Sequence, residues 1–198
     1  MQSIFTYTCA LDIPPLFIDA LKSHSRNANV ILPQIESSKK ASPSMPQLWV
    51  VYAPHGRVEY VLAVTEGALG AYPLFIFTTE PVATLAGPSF EAKMWELVMA
   101  LREKVINVRR IYSVFAPRPI CITFCNMWTR LTGIAVEANP NPYYDAVISY
   151  CTPQTLKLGN QRPATGHEHE IRLAVTSDAP MVATLCQGFS EESVSNSF

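Results

Sequence analysis

Charge is scarce in this chain. Only 16% of its 198 residues are Asp, Glu, Lys or Arg, and 15 basic side chains against 16 acidic ones leave a net charge of -1. A protein that grips nucleic acid displaces phosphate counterions with an excess of Lys and Arg, so the missing excess argues against a nucleic-acid partner. Long apolar runs are missing too: no charge-free stretch reaches the roughly 18 residues that would span a bilayer, so no membrane partner is expected. The N-terminus, Met1-Gln2-Ser3-Ile4-Phe5, has no basic segment, and Asp12 with two prolines breaks the apolar stretch behind it, so it does not read as a signal peptide. Five cysteines, an odd number without paired short spacings, exclude a secreted disulfide scaffold and point to a reduced, cytoplasmic setting.

What the chain has in quantity is apolar surface, 48% of residues. A disordered segment shows the opposite balance. The length suggests about one domain. So apolar a composition also implies a face that wants covering by a partner, a ligand or more chain.

Two clusters invite a metal reading. Cys121 and Cys125 share a face if they lie on a helix, but no second Cys or His pair stands at zinc spacing, so core packing is the simpler account. His167-Glu168-His169 sits in a loop-like stretch, Gly159 to Gly166, and reads as solvated linker. No metal ligands are assigned.

Hydrophobic periodicity orders the rest. After Pro14-Pro15, residues Leu16, Ala20 and Leu21 suggest a short helix; residues 36–46 read as loop. Leu48–Tyr52 and Val58–Val64 are β-branched and aromatic, and Pro54-His55-Gly56-Arg57 between them is turn chemistry, so the two form a hairpin. Pro73–Thr79 is a third strand, apolar enough to be buried on both faces. Phe90, Met94, Leu97, Val98, Leu101 and Val105 recur at helical spacing behind Ser89, the expected N-cap. Arg110–Phe115 is a fourth strand. Ile120–Leu131 is a second helix with Gly133 as C-cap, and Tyr144–Tyr150 is a fifth strand. The expected architecture is α/β (α+β): a central mixed sheet with flanking helices in the order β-β-β-α-β-α-β. A linker at 153–170 separates the first domain, 1–152, from a strand at Ile171–Val175 and a helix from Pro180 to Phe189.

That terminal unit, Ile171-Arg172-Leu173-Ala174-Val175-Thr176-Ser177-Asp178-Ala179, resembles the I-R-x-A-x-x-x-D-A opening of the GNAT N-acetyltransferase fold. The earlier order of three strands, helix, strand, helix, strand resembles the GNAT core as well. The chain as a whole is similar to fungal-type tandem GNAT proteins, and residues 171–198 are expected to be the start of a second GNAT-like domain.

The resemblance implies an acetyl-CoA-dependent N-acyltransferase, or the N-terminal portion of one. Its partner would be a small-molecule or peptide amine. The alternative is a non-catalytic module that covers a substrate, forms a homodimer or docks on a C-terminal half. In the family a splayed strand pairs with the pantetheine arm and a glycine-rich turn before a helix holds the pyrophosphate. Carried onto this chain, the cofactor-binding positions are Phe77 and Thr79 on the strand, Gly87 in the turn and Asn126 on the second helix. The sequence departs from the family at several points. Gly87 is the only glycine in the turn Glu80–Ser89. No Arg or Gln opens that turn, Pro88 removes a donor and Glu80 adds negative charge. Trp128 lies near the position of the family's acidic Tyr, and indole cannot act as that acid. Glu59 and Glu66 are the carboxylates on or near strands, without a specific signal. No catalytic residue is assigned.

Overall fold

A computed structural model describes residues 3–40, 45–67, 70–135, 152, 154 and 172–195, with side chains in the last stretch to 188. Contacts divide the chain into two units, Met1–Ala138 and Asn139–Phe198.

The first unit is built on a mixed sheet. Strand β1 (Ile4–Tyr7) is followed by helices α1 (Pro15–Ser23) and α2 (Ile31–Lys40). Then come β2 (Gln47–Tyr52), β3 (Tyr60–Gly67), the two-residue β4 (Gly70–Ala71) and β5 (Leu74–Thr78). Helix α3 (Gly87–Lys104), the short β6 (Val114–Phe115) and α4 (Arg118–Thr132) complete it. The sheet order is β1-β2-β3-β5-β6, with β4 pairing β3 to one side. All pairings are antiparallel except β5 with β6, which α3 joins in parallel.

The apolar excess goes into a core on both faces of this sheet. Successive strand residues point to opposite sides. Val50, Tyr52, Tyr60, Leu62, Leu74 and Ile76 therefore pack with α3 and α4. Their neighbours Trp49, Val51, Val61, Ala63 and Phe77 pack with α1 and α2. Helix α3 buries Phe90, Met94, Leu97, Val98 and Leu101, the stripe its periodicity predicts. Gly133 ends α4 at φ 71, a left-handed value that suits glycine.

The first unit departs from the sequence reading in several places. Residues 36–40 are not loop but the end of α2, which buries Ile31 and Ile35 one turn apart and tolerates Pro33 in its first turn. β1 was not expected as a strand. The fourth strand shrinks to Val114–Phe115, because Val108–Arg110 forms a 3-10 turn. Ser89 is not the N-cap: Ala86 holds that position, and the helix begins at Gly87.

In the second unit α5 (Ala179–Ser195) is present, preceded by a 3-10 turn at Thr176–Asp178. Arg172–Val175 forms no strand, so the expected terminal β-α unit keeps its helix only. Arg172 donates to both carboxylate oxygens of Asp178 at 2.7 and 2.8 Å, and the Val175 N–H donates to Asp178 at 2.9 Å. The expected strand Tyr144–Tyr150 lies outside the described residues, as does the expected linker 153–170 apart from Gln154. Among the described residues no helix is long and apolar enough to cross a membrane.

Candidate functional site

The parallel strands β5 and β6 part early, and the reason is in the sequence. Their register is Leu74 opposite Val114 and Phe75 opposite Phe115. The Leu74 N–H donates to Ser113 O at 2.9 Å. In a parallel ladder of this phase the next bond on the side of Ile76 C=O would need a donor at residue 117. Residue 117 is proline, which has no N–H. The chain turns there, and Pro117 is the N-cap of α4. β5 runs on to Thr78 without β6 beside it.

Which groups face that edge follows from the opposite pairing. The Thr79 N–H donates to Glu59 O at 3.1 Å, and Phe77 stands opposite Val61. By alternation Phe75, Phe77 and Thr79 exchange bonds with β3, while Ile76 and Thr78 turn their backbone groups toward the β6 side. Among the described residues no strand pairs that edge beyond Phe75.

Beyond β5, the chain makes a 3-10 turn at Val82–Thr84 and enters α3 through Gly87. Gly87 has φ 81, and nothing lies within 4 Å of where its Cβ would be. A side chain there would be strained in backbone rather than crowded. Pro88 withholds one of the first-turn donors, leaving the N–H groups of Gly87, Ser89 and Phe90.

Next to the end of β5 lies a buried charge cluster. Glu59 precedes β3 and its side chain is 8% exposed. Its Oε2 accepts from Lys93 Nζ at 2.6 Å, and its Oε1 lies 3.4 Å from Arg57 Nη2. The same Arg57 nitrogen donates to Glu80 Oε1 at 2.6 Å. Thr78 Oγ1 donates to Glu59 O and accepts from the Glu80 N–H, so backbone and charges are tied together. A carboxylate this buried requires a partner, and Lys93 supplies it from the second turn of α3. Tyr60 adjoins the cluster. Burial pushes its phenol up to about 12, and Thr78 offsets this in part through a hydrogen bond.

The sequence-predicted positions are therefore placed as follows. Phe77 is buried among α1 and α2, with its backbone toward β3. Thr79 is occupied through both N–H and Oγ1, the latter donating to Val58 O at 2.8 Å. Gly87 starts α3. Asn126 is exposed on α4, on the side away from buried Phe124 and Trp128. Trp128 is 4% exposed and stacks on Phe124 at 5.8 Å, and its indole N–H has no partner among the described residues. Gly87 and β5 lie along one stretch of chain, whereas Asn126 is on α4. Glu66 pairs with Arg110 at 3.6 Å at the other end of β3. Both cysteines are half-buried, and Cys125 packs against the core; burial raises both thiols, Cys121 to about 11, which keeps them protonated at neutral pH.

Arg57, Glu80 and Lys93 form the part of the site that sequence reasoning did not assemble. One signal was available: Glu59 is a lone charge between Val58 and Tyr60 in an apolar run, and such a charge needs a counterion from elsewhere in the fold.

No protein-family model, no curated protein and no solved structure matches this chain.

Proposed function

We propose that residues 3–135 form an acyl-CoA fold of the GNAT type, and that the chain is an acetyl-CoA-dependent N-acyltransferase or the N-terminal portion of one. The observation that carries this reading is the open edge of β5. A strand that continues past its parallel neighbour offers backbone groups to an extended amide-bearing chain, and the pantetheine arm of CoA is one. The residues fit in part. Ile76 C=O and the Thr78 N–H and C=O would pair with the arm, in place of Phe77 and Thr79, whose bonds go to β3. The N–H groups of Gly87, Ser89 and Phe90 would meet the pyrophosphate. The thioester supplies the acyl group, and the acceptor is a small-molecule or peptide amine in the cytoplasm.

The second reading, a non-catalytic module for substrate covering, dimerisation or docking, is favoured by specific side chains. Glu59 and Glu80 are held in ion pairs, Trp128 stands where the family places an acid, and Asn126 faces solvent away from β5.

Amide hydrogen exchange with and without acetyl-CoA tests both. The expected result is saturable binding with protection at Thr78 and at Ser89–Phe90. A hundredfold excess over the dissociation constant should add about 2.7 kcal/mol of apparent stability. Absence of binding refutes the acyl-CoA reading. Binding without turnover of any amine in a broad panel selects the non-catalytic one.

A further inference from the structure

Under the acyl-CoA reading the pyrophosphate meets the start of α3, beyond Thr78, and the arm pairs with Thr78 and Ile76. The thioester then lies at the opposite end of that edge, where the strands rejoin at the rung of Phe75 and Phe115. An amine must reach the acyl carbon at this rung, so the two faces of the sheet decide which amines can come. The face toward α3 and α4 is closed: Leu74, Ile120 and Phe124 are 0% exposed and Ile76 is 3% exposed. The face toward α1 and α2 is more open. Phe75 and Phe115 are both half-buried there. Their rings meet edge to face with centroids 5.7 Å apart.

The surroundings of this pair are apolar, and their charges are spent. Ala63 stands opposite Phe75 on β3. Helix α2 packs over β3 and β5, and its Leu32 is half-buried. Thr65 uses its hydroxyl on Gln34 Oε1, at 2.9 Å. Strands β5 and β6 carry no acid, and neither does the segment His24–Val30 between α1 and α2. The acids on α1, α2 and β3 are all paired. Asp19 lies 3.6 Å from Lys22, Glu36 accepts from Lys39 at 3.0 Å, and Glu66 lies 3.6 Å from Arg110. Asp12 follows β1, at the far edge of the sheet. Glu59 and Glu80 belong to the ion-paired cluster at the other end of β5. Lys40 on α2 and Arg26 in the connection add only positive charge.

A polyamine, or a lysine in a basic peptide, brings charges beyond the reacting nitrogen and needs spare carboxylates to meet them. Among the described residues this face has none to spare, and it has an aromatic pair instead. We infer that the acceptor is an aromatic monoamine, its ring packed on Phe75 and Phe115 and its single nitrogen presented to the acyl carbon. The inference rests on the acyl-CoA reading and narrows it. The ammonium loses a proton to water, the nitrogen forms the new C–N bond, and the C–S bond breaks with its electron pair going to sulfur. Phe75 and Phe115 are then the residues that set acceptor specificity.

Binding of acetyl-CoA to the full chain is measured first, by calorimetry without any amine. Acetyl transfer to 2-phenylethylamine, to spermidine and to a lysine-bearing peptide is then followed by mass spectrometry. The expected kcat/KM for 2-phenylethylamine is at least about tenfold above the other two. Titration of 2-phenylethylamine into protein saturated with CoA, which carries no acyl group to transfer, should show saturable binding. Phe115→Ala should weaken that binding by about tenfold. Phe75→Leu keeps apolar volume but removes a ring, and should weaken it by about threefold. This second variant keeps the test decisive if Phe115→Ala disturbs β6. Absence of acetyl-CoA binding refutes the acyl-CoA reading and this inference with it. A protein that binds acetyl-CoA but prefers spermidine or the peptide leaves the reading standing and overturns the inference. So does a protein whose folded variants bind 2-phenylethylamine with unchanged affinity.

Discussion

The two ends of β3 each carry an arginine beside a glutamate, and the two arginines are used differently. At the far end, Arg110 is 18% exposed. Its Nη1 donates to Tyr72 O at 2.9 Å, its Nη2 to Thr65 O at 2.6 Å, and its Nε lies 3.6 Å from Glu66. Every nitrogen is committed to holding the β3–β4–β5 corner together. At the near end Arg57 is mostly exposed and commits one nitrogen to two carboxylates. Donors spent on backbone carbonyls describe a structural clamp. Donors left in solvent on a mostly exposed guanidinium describe a contact on which the fold depends lightly.

Mutation separates the two most sharply at Arg110. Arg110→Ala removes two charge-assisted bonds to carbonyls that no other side chain reaches among the described residues. At about 1.5–3 kcal/mol for each such bond, partly offset by solvent entry, the loss should be about 3–4 kcal/mol in urea denaturation. Arg110→Lys should recover less than half, since a point charge cannot serve two divergent carbonyls. A loss below about 1 kcal/mol would erase the distinction between the two ends.

Glu59→Gln comes next. It leaves Lys93 and Arg57 without the carboxylate between them. Lys93 is 26% exposed and partly solvated, so the cost should fall below the roughly 3–5 kcal/mol of a fully buried broken pair, at about 2–3 kcal/mol. Adding Lys93→Met to Glu59→Leu should return much of it, because removing both charges leaves neither unpaired. If the double variant is less stable than Glu59→Gln, the cluster holds the fold by more than mutual neutralisation.

Much of the frame was legible because it is written in local periodicity. The α3 stripe needs only the 3.6-residue repeat, the β2–β3 hairpin only the turn between two β-rich runs, and the α4 stop only Gly133. α2 was lost because its apolar signal is short, Ile31, Leu32 and Ile35 around Pro33 and before a polar Glu-Ser-Ser-Lys-Lys run, so burial of Ile31 and Ile35 rather than composition makes it a helix. The near-end site was illegible for a different reason. Glu59 and Lys93 are 34 residues apart, and no local pattern joins them. Alternation along β5 is visible in the sequence, but that Phe77 and Thr79 are the residues whose backbone bonds face β3 depends on the Glu59–Thr79 bond.

Alkaline pH probes the near end without mutation. An unfolded tyrosine ionises near pH 10, whereas Tyr60 in the fold does so at about 12. Stability is complete below pH 10. As pH rises from 10 to 12 the unfolded chain loses its proton first, so stability falls through that window, by about 2 kcal/mol from this residue. Tyr60→Phe should flatten that part of the curve, and tyrosinate absorbance of the folded protein should show one late component that the variant lacks. An unchanged slope would mean that Tyr60 is not the buried phenol at this end.

The smallest effect is the most informative. Arg57→Ala breaks contacts at 2.6 and 3.4 Å, which on distance alone would rank with those of Arg110. Its guanidinium, however, is mostly in water before and after the change, so little solvation is exchanged and side-chain freedom is regained. Exposed pairs contribute about 0–1 kcal/mol. Glu59 keeps Lys93 as its counterion, and Glu80 gains room for water. The expected loss is therefore under about 1 kcal/mol by urea denaturation, several times smaller than at Arg110. A loss comparable to that of Arg110→Ala would show Arg57 to be a clamp as well.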